Sequence, residues 1–410
     1  MSTHILYITY DGLTDTLGQS QVLPYVMGLE EKGYTFSILS FEKPSKYPAE
    51  KGVVEELLKG KNITWYPKMY HKRFSILATV WDILTGLFFI HTLMSRQPFR
   101  AVHCRSYISA VIGMYAKNRF GVRFIFDMRG FWADERVDGG LWNLNNPIFK
   151  MVYSFFKWIE KKAILNADYV VTLTQASYLE MKTWSYVTDA VKFKIIPCCV
   201  DLNVFSTSFI DSDKLNQMKT DLDIGNKTVL SYLGSIGTWY MMDEMFAFFK
   251  ILRSEKPDAV FLIITPEREE DILRMAARNH VPSTQLIIRR AQRKDVPYYL
   301  SLSSASVFFI RPTYSKISSF PTKMAEIMAM GIPLICNAGI GDVDQQVKEA
   351  KAGICLTEMN TASYTDAVEK WTQHTGNYFN RTTSINYVDR YFSLHYGVTS
   401  YFSIYQEILK

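Results

Sequence analysis

The stretch "SSFPTKMAEIMAMGIPLI", Ser318 to Ile335, holds the pair of side chains best placed to do chemistry: Lys323, and Glu326 one helical turn later. A helix N-terminus carries partial positive charge, so a lysine there is misplaced unless an anion sits with it. Open backbone N–H groups from Ser319 to Lys323 would complete such an anion site. Glu326 could then accept hydrogen bonds from a ribose diol, the task an acidic residue performs in dinucleotide-binding enzymes. The competing reading is a surface lysine and a dipole-stabilising glutamate. Pro321 is expected at the first helical position. Met324, Ile327, Met328 and Gly331 fall on one packed side. Gly331 and Pro333 end the helix, and Leu334-Ile335-Cys336 reads as a buried strand.

Four further runs carry polar groups at the ends of apolar segments. "FIFDMRGFWADERVDGG" (Phe124 to Gly140) brings Asp127, Arg129, Asp134, Glu135 and Arg136 together with Trp132, a mixture suited to the hydroxyls of a polar ligand. "YLGSIGTWY" ends a strand in Gly234, Ser235 and Gly237, small enough for a ligand to approach the backbone. "IIRRAQRKDVP" and "FFIRP" put Arg290 and Arg311 at strand ends, where with Lys323 they could face a diphosphate. "YDGLTDTLGQSQVLP" places Gly12 and Gly18 where a phosphate could approach a helix start. It is not a GxGxxG run, so a dinucleotide signature is absent, and an ordinary strand–helix loop explains it as well.

The elements that must hold these residues alternate. "HILYITY", "YTFSILSF", "NITWYP", "AVHCRS", "VRFIFDM", "DYVVTLT" and "FKIIP" read as strands separated by helices. After "PCCVDLNVF" a second series begins at "TVLSYLGS" and continues through "AVFLIIT", "QLIIRR", "SVFFIRP", "PLICNA" and "AGICLT" before closing helices from about Thr361. This βαβα rhythm predicts an α/β protein of two doubly wound, Rossmann-like domains facing a central cleft, with ligands beyond the carboxyl ends of the strands.

The bulk numbers agree with that. The chain has 410 residues, 48% of them hydrophobic and 14% aromatic, enough for more than one core. The formal net charge of +6 fits an anionic small molecule or an anionic membrane surface, and no arginine-rich run or RNA-binding signature points to nucleic acid. Five cysteines without a CxxC pair read as reduced and buried, as in a cytoplasmic protein. The N-terminus reads directly as a strand, with no signal-peptide core. "FSILATVWDILTGLFFIHTLM" (Phe74 to Met94) nearly reaches the length of a membrane span, but Asp82 and His91 interrupt it; it is expected to be a buried or membrane-surface helix.

Taken together these runs resemble the retaining glycosyltransferases of family 4, of GT-B fold, over essentially the whole chain. "YDGLTDTLGQSQVLPYVMGLEEKGY" resembles the opening of bacterial capsule and O-antigen polysaccharide members, "IIPCCVDLNVF" their interdomain "IPNGVD…F", and "EIMAMGIPLI" their "EAMAxGxPVI". The resemblance implies an acceptor-side domain at 1–199, a nucleotide-sugar-binding domain at 200–390, and a C-terminal helix at about 391–410 packing back on the first. It gives Glu326 the ribose and Thr322 and Lys323 the donor phosphates. Gly18 lines the donor, and "RRAQRKDVP" borders the nucleobase. The sequence departs from the family in three places. The glutamate expected eight residues before Glu326 is Ser318, so the usual contact to the donor sugar is missing. The Arg and Lys common after the "YLG" strand are absent, leaving Lys323 and Arg311 as replacements. A strand end that often carries histidine carries Asp127.

The implied reaction is transfer of a sugar from a nucleotide-diphosphate donor, UDP-hexose by default, to a hydroxyl of a growing, lipid-linked surface glycan. Anomeric configuration is retained, and neither cofactor nor metal is needed. Lys323 and Arg311 would take the leaving-group charge. Asp127 or Glu135 would orient the acceptor, with Arg129 and Asp134 beside it. The partners implied are the nucleotide sugar, the glycan acceptor and an anionic membrane on the inner face of the cytoplasmic membrane. The alternatives are a nucleotide-sugar epimerase of the same fold and a catalytically silent homologue acting as a binding subunit.

Overall fold

The computed structural model describes residues 3–71 and 75–410, which form two compact units. Unit 1 comprises Met1–Cys198 with Leu394–Lys410, and unit 2 comprises Cys199–Ser393. Unit 1 holds seven parallel strands: β1 (Thr3–Thr9), β2 (Tyr34–Glu42), β3 (Ile63–Met69), β4 (Ala101–Arg105), β5 (Arg123–Asp127), β6 (Tyr169–Thr172) and β7 (Phe193–Ile195). Their order is β3-β2-β1-β4-β5-β6-β7. Unit 2 holds six: β8 (Val229–Leu233), β9 (Val260–Ile264), β10 (Leu286–Arg289), β11 (Ala305–Phe308), β12 (Leu334–Asn337) and β13 (Gly353–Leu356), ordered β10-β9-β8-β11-β12-β13.

Both units follow the 3-2-1-4-5-6 Rossmann order, in which the direction of winding reverses between the first and fourth strands. The reason is in the strands themselves. β4, β8, β9, β11 and β12 are buried at every position, as parallel strands covered by helices on both faces must be. Hence the runs are mostly apolar and carry no alternation of exposed and buried positions, with His103, Arg105, Ser231, Ser306 and Asn337 buried among them.

Several local differences from expectation have simple causes. Pro321 is the N-cap, not the first helical residue: its ψ of 108° is extended, and the helix spans Thr322–Ala329. The helix Tyr47–Leu58 is amphipathic with only Val54 and Leu58 buried, too thin a stripe to stand out in sequence. The apolar helix spans Ser75–Arg96, and its "KRF" lead, Lys72 to Phe74, lies outside the described residues. Among the described residues no disulfide joins any of the five cysteines.

The helix Leu394–Ile408 closes unit 1 against Leu23–Glu30, so tightly that a β-carbon on Gly28 would stand 2.6 Å from Val398. It also carries Tyr401 to the end of β5, where its hydroxyl donates to Asp127 Oδ2 at 2.9 Å. Asp127 is 1% exposed. Burial alone would raise its carboxyl; Arg129, His103 and Arg105 outweigh burial and hold it below the usual range. A depressed carboxylate stabilises the fold above its unfolded pKa, and that contribution is lost as pH falls through the folded value. Tyr401→Phe removes the hydrogen bond, and we expect a loss of about 1–3 kcal/mol at neutral pH, the range for a bond to a charged group. The loss should shrink as the carboxyl protonates in acid; urea denaturation across a pH series measures both.

Candidate functional site

In unit 2 the chain leaves β11, makes a one-turn helix at Tyr314–Ser318, and enters Thr322–Ala329 through an extended link. Lys323 does not point to solvent; it is 7% exposed and reaches across to the end of β8. Its Nζ donates to Tyr232 Oη at 3.3 Å and lies 4.3 Å from the centre of the Tyr232 ring and 3.7 Å from that of Tyr240. The rings offer the ammonium a cation–π surface. Tyr232 Oη in turn donates to the Ser235 carbonyl at 2.6 Å.

Gly234 is the residue that makes room. Its φ is +127°, and a β-carbon there would stand 2.6 Å from Lys323 Nζ. Glycine is needed both for the backbone and for the ammonium. The loop after it is sewn to the chain following β11: Met241 N–H donates to the Phe309 carbonyl at 2.9 Å, and Arg311 N–H to the Trp239 carbonyl at 2.9 Å. That seam presents Tyr240 to Lys323 and sets Trp239 over Lys316, whose Nζ is 3.7 Å from the ring centre.

Among the described residues no carboxylate is ion-paired with Lys323. Burial pushes the ammonium well below the usual lysine range, and Glu326 one turn on pulls weakly the other way. Glu326 is itself 6% exposed, and its Oε1 accepts from Arg293 Nη1 at 2.9 Å. Burial raises its carboxyl, with Arg293 opposing. Arg293 packs 5.0 Å from the Phe205 ring centre. The site therefore offers, side by side, a buried lysine without a carboxylate ion pair at a helix N-terminus and a carboxylate fixed by a guanidinium.

The structure thus brings together Lys323, Gly234, Glu326 and, at the first helical residue, Thr322. Ser235 is exposed at the lip of the same loop. Ser318 is 1% exposed and its hydroxyl donates to the Ser315 carbonyl at 2.7 Å, so it is turned into its own helical turn. Arg311 joins through its backbone, with an exposed side chain. Arg290 sits beyond edge strand β10 on the Pro266 carbonyl, two strands from β8; the basic residue that reaches the site from this run is Arg293. Tyr232, Tyr240, Trp239 and Lys316 were not legible as site residues. The only signal for the three aromatic residues was that they flank the "LGSIG" turn, and Lys316 had none.

Unit 1 corrects several expectations. A carboxylate already fills the glycine loop after β1: Glu42, 0% exposed, accepts from Leu13 N–H at 2.8 Å and Thr14 N–H at 3.0 Å. The anion position expected there is occupied by the chain itself. Gly18 is required by packing, since a β-carbon would fall 2.1 Å from the Gly12 carbonyl oxygen. Asp127 is buried, hydrogen-bonded by Tyr401 and within 4 Å of His103, Arg105 and Arg129, so its carboxylate faces the protein's own charges. Arg129, at φ +57°, buries its guanidinium against Cys198 Sγ at 3.1 Å. Asp134 is buried and held by Tyr153 at 2.8 Å and Lys157 at 2.9 Å. Of the acceptor set, Glu135 is half-exposed, as is Arg129, whose guanidinium is nonetheless turned inward.

Two Rossmann-like sheets, one with a lysine buried at a helix N-terminus near a strand end, define an α/β protein of two Rossmann-like domains. Residues 21–204 match the family model described as Glycosyltransferase Family 4, and residues 214–382 match that described as Glycosyl transferases group 1. The chain belongs to the family 4-type glycosyltransferases of GT-B fold. Among solved structures it is similar to a glycosyltransferase from Rickettsia africae, with TM-score 0.74 and 16% identity over 100% of this chain and 99% of that one. It is similar to sucrose-phosphate synthase from Thermosynechococcus elongatus at TM-score 0.73 and 13% identity, over 99% of each chain. Anabaena Alr3699/HepE in complex with UDP-glucose matches at TM-score 0.69 and 12% identity, over 98% of this chain and 99% of that one. No curated protein matches in sequence.

An unneutralised buried lysine costs stability in the absence of ligand. Lys323→Met should therefore raise the stability of the ligand-free protein at neutral pH, by about 1–3 kcal/mol on the scale of single substitutions. Between the lowered folded pKa and the unfolded value the unfolded chain binds more protons, so wild-type stability rises with pH. The advantage of the variant should narrow toward alkaline pH, as followed by thermal melts over a pH series.

Proposed function

We propose that the protein transfers a sugar, with retention, from a nucleotide-diphosphate donor to a hydroxyl of a growing lipid-linked surface glycan. The observation that carries this is the Lys323 ammonium, held beside Gly234 without a carboxylate partner. As the bond between the anomeric carbon and the diphosphate breaks, negative charge grows on the leaving oxygen. Lys323 and the helix N-terminus meet it with groups already in place, which is the role a metal would otherwise fill. The acceptor oxygen bonds to the anomeric carbon from the face the diphosphate leaves. Its proton passes to a phosphate oxygen, so no enzymic base is required. Glu326, fixed by Arg293, accepts from the ribose hydroxyls. UDP-hexose is the donor most in keeping with relatives, since Alr3699/HepE is described in complex with UDP-glucose. Glu135 is the remaining side chain for orienting the acceptor.

A second reading is favoured by one observation. With Ser318 in place of the expected carboxylate, and its hydroxyl turned inward, no acidic side chain stands at that position to hold the donor sugar. A binding subunit without turnover would tolerate this. A panel of nucleotide sugars, with and without lipid-linked acceptor, separates the readings: acceptor-dependent release of nucleoside diphosphate supports transfer, and binding without release supports the subunit.

Glu326→Ala should weaken nucleoside diphosphate binding by about 1–3 kcal/mol, the cost of charge-assisted hydrogen bonds. Calorimetric titration tests this, and unchanged affinity would remove Glu326 from the site. Lys323→Ala should lower kcat more than it raises KM, because the charge it meets is largest in the transition state. A raised KM with kcat untouched would limit Lys323 to ground-state binding.

A further inference from the structure

Three helices of unit 1, Ser75–Arg96, Ser106–Phe120 and Pro147–Asn166, lie side by side, the middle one packed against both others. The two outer helices each have a second apolar face that the fold does not cover. On the first, Leu77, Trp81, Leu84 and Phe88 recur every three or four residues and are 54% to 76% exposed. On the second, Ile148, Met151, Phe155, Trp158 and Leu165 follow the same spacing at 45% to 66% exposed. This is the periodicity of a buried helix stripe presented to solvent. At 1.5 Å per residue the stripes run about 17 Å and about 26 Å.

The charges of this layer are one-sided. Its three helices contain two carboxylates, and both are turned inward. Asp82 is 1% exposed and accepts from Tyr10 at 2.8 Å. Glu160 is 0% exposed and paired with Lys157 at 2.6 Å. The exposed charges are Lys150, Lys161, Lys162, Arg96 and Arg119. An isologous pairing with a second copy would set these lysines against one another. Aromatic and aliphatic side chains edged by lysines, without exposed acid, match the boundary of an anionic bilayer. The first helix is long and apolar enough to cross a membrane. Asp82 ties it to unit 1, however, and a β-carbon on Gly86 would stand 2.6 Å from Ile112 of the middle helix.

We propose that this face of unit 1 docks on an anionic lipid bilayer, with Ser75–Arg96 and Pro147–Asn166 lying in the interface. The inference goes beyond the transferase reading and does not depend on it; if both hold, the acceptor is met at the membrane. Flotation of the full chain with vesicles of phosphatidylglycerol and phosphatidylcholine, against phosphatidylcholine alone, tests it. Partition should be about tenfold stronger on the anionic vesicles and should fall with added salt. Trp81→Gln with Phe88→Gln should lower it about tenfold. The melting temperature and nucleotide-sugar binding of that variant should be unchanged. Lys161→Glu with Lys162→Glu, both on exposed positions, should abolish the preference for anionic lipid. The proposal is overturned if the wild type stays with the soluble fraction, if binding ignores lipid charge, or if neither variant alters it. It is also overturned if sedimentation shows a lipid-free dimer that Trp81→Gln with Phe88→Gln dissociates, which would make the face a contact between copies.

Discussion

Lys323 brings an ammonium into the end of unit 2 where β8 stops, and the local structure is arranged around keeping it there. The cost of burying a cation is offset in part by the Tyr232 and Tyr240 rings and by one hydroxyl acceptor. Gly234 must be glycine because Nζ occupies the space of its side chain, and the seam from Trp239 to Met241 must form because it delivers Tyr240. None of these features supplies a full negative charge. The helix dipole points the same way as the lysine, so the two reinforce one another toward an anion.

Unit 1 solves the same electrostatic problem in the opposite way. Its strand-end charges are satisfied internally: Arg105 by Asp11 at 3.1 Å, Asp127 by Tyr401, and the N–H groups of the first loop by Glu42. Opposite charges in this buried cluster face one another, Asp127 lying within 4 Å of Arg105 and Arg129, although Asp127 Oδ1, Arg129 Nε and His103 Nε2 make no hydrogen bond. The two units share a topology, but among the described residues Lys323 of unit 2 is a buried base with no carboxylate ion-paired to it, whereas Arg105 and Arg129 of unit 1 lie within 4 Å of carboxylates. That asymmetry is what supports placing the donor diphosphate in unit 2 under the proposed function.

Much of this was legible in sequence for a definite reason. Parallel strands covered on both faces are mostly apolar runs, so the strand order of events could be read, and with it the strand ends where ligands bind. Lys323 and Glu326 stood out because a lysine opening a helix contradicts the dipole. The partners of these residues were not legible. Arg293 differs from Arg290 only in which base of one run a short 3-10 turn aims at Glu326. Glu42 looks like an ordinary residue at the end of β2 until the first loop folds over it. Asp127, Arg129 and Asp134 drew attention as a polar run, yet polarity alone does not distinguish charges that face a ligand from charges that face each other. That depends on Tyr401 and Tyr153, which are distant in sequence.

The central claim is that the Lys323 ammonium is the counter-charge to a donor diphosphate. It is tested most directly by counting protons. Burial holds the ligand-free lysine below its usual range and a bound diphosphate raises it, so between the free and bound values binding takes up a proton. Calorimetric titration with a nucleotide sugar, whose diphosphate diester does not titrate at mildly alkaline pH, should be run in buffers of different ionisation enthalpy. The account predicts net proton uptake by the wild type and none by Lys323→Met. Uptake equal in the two proteins, or binding by the wild type with no proton exchanged at any pH, would contradict it.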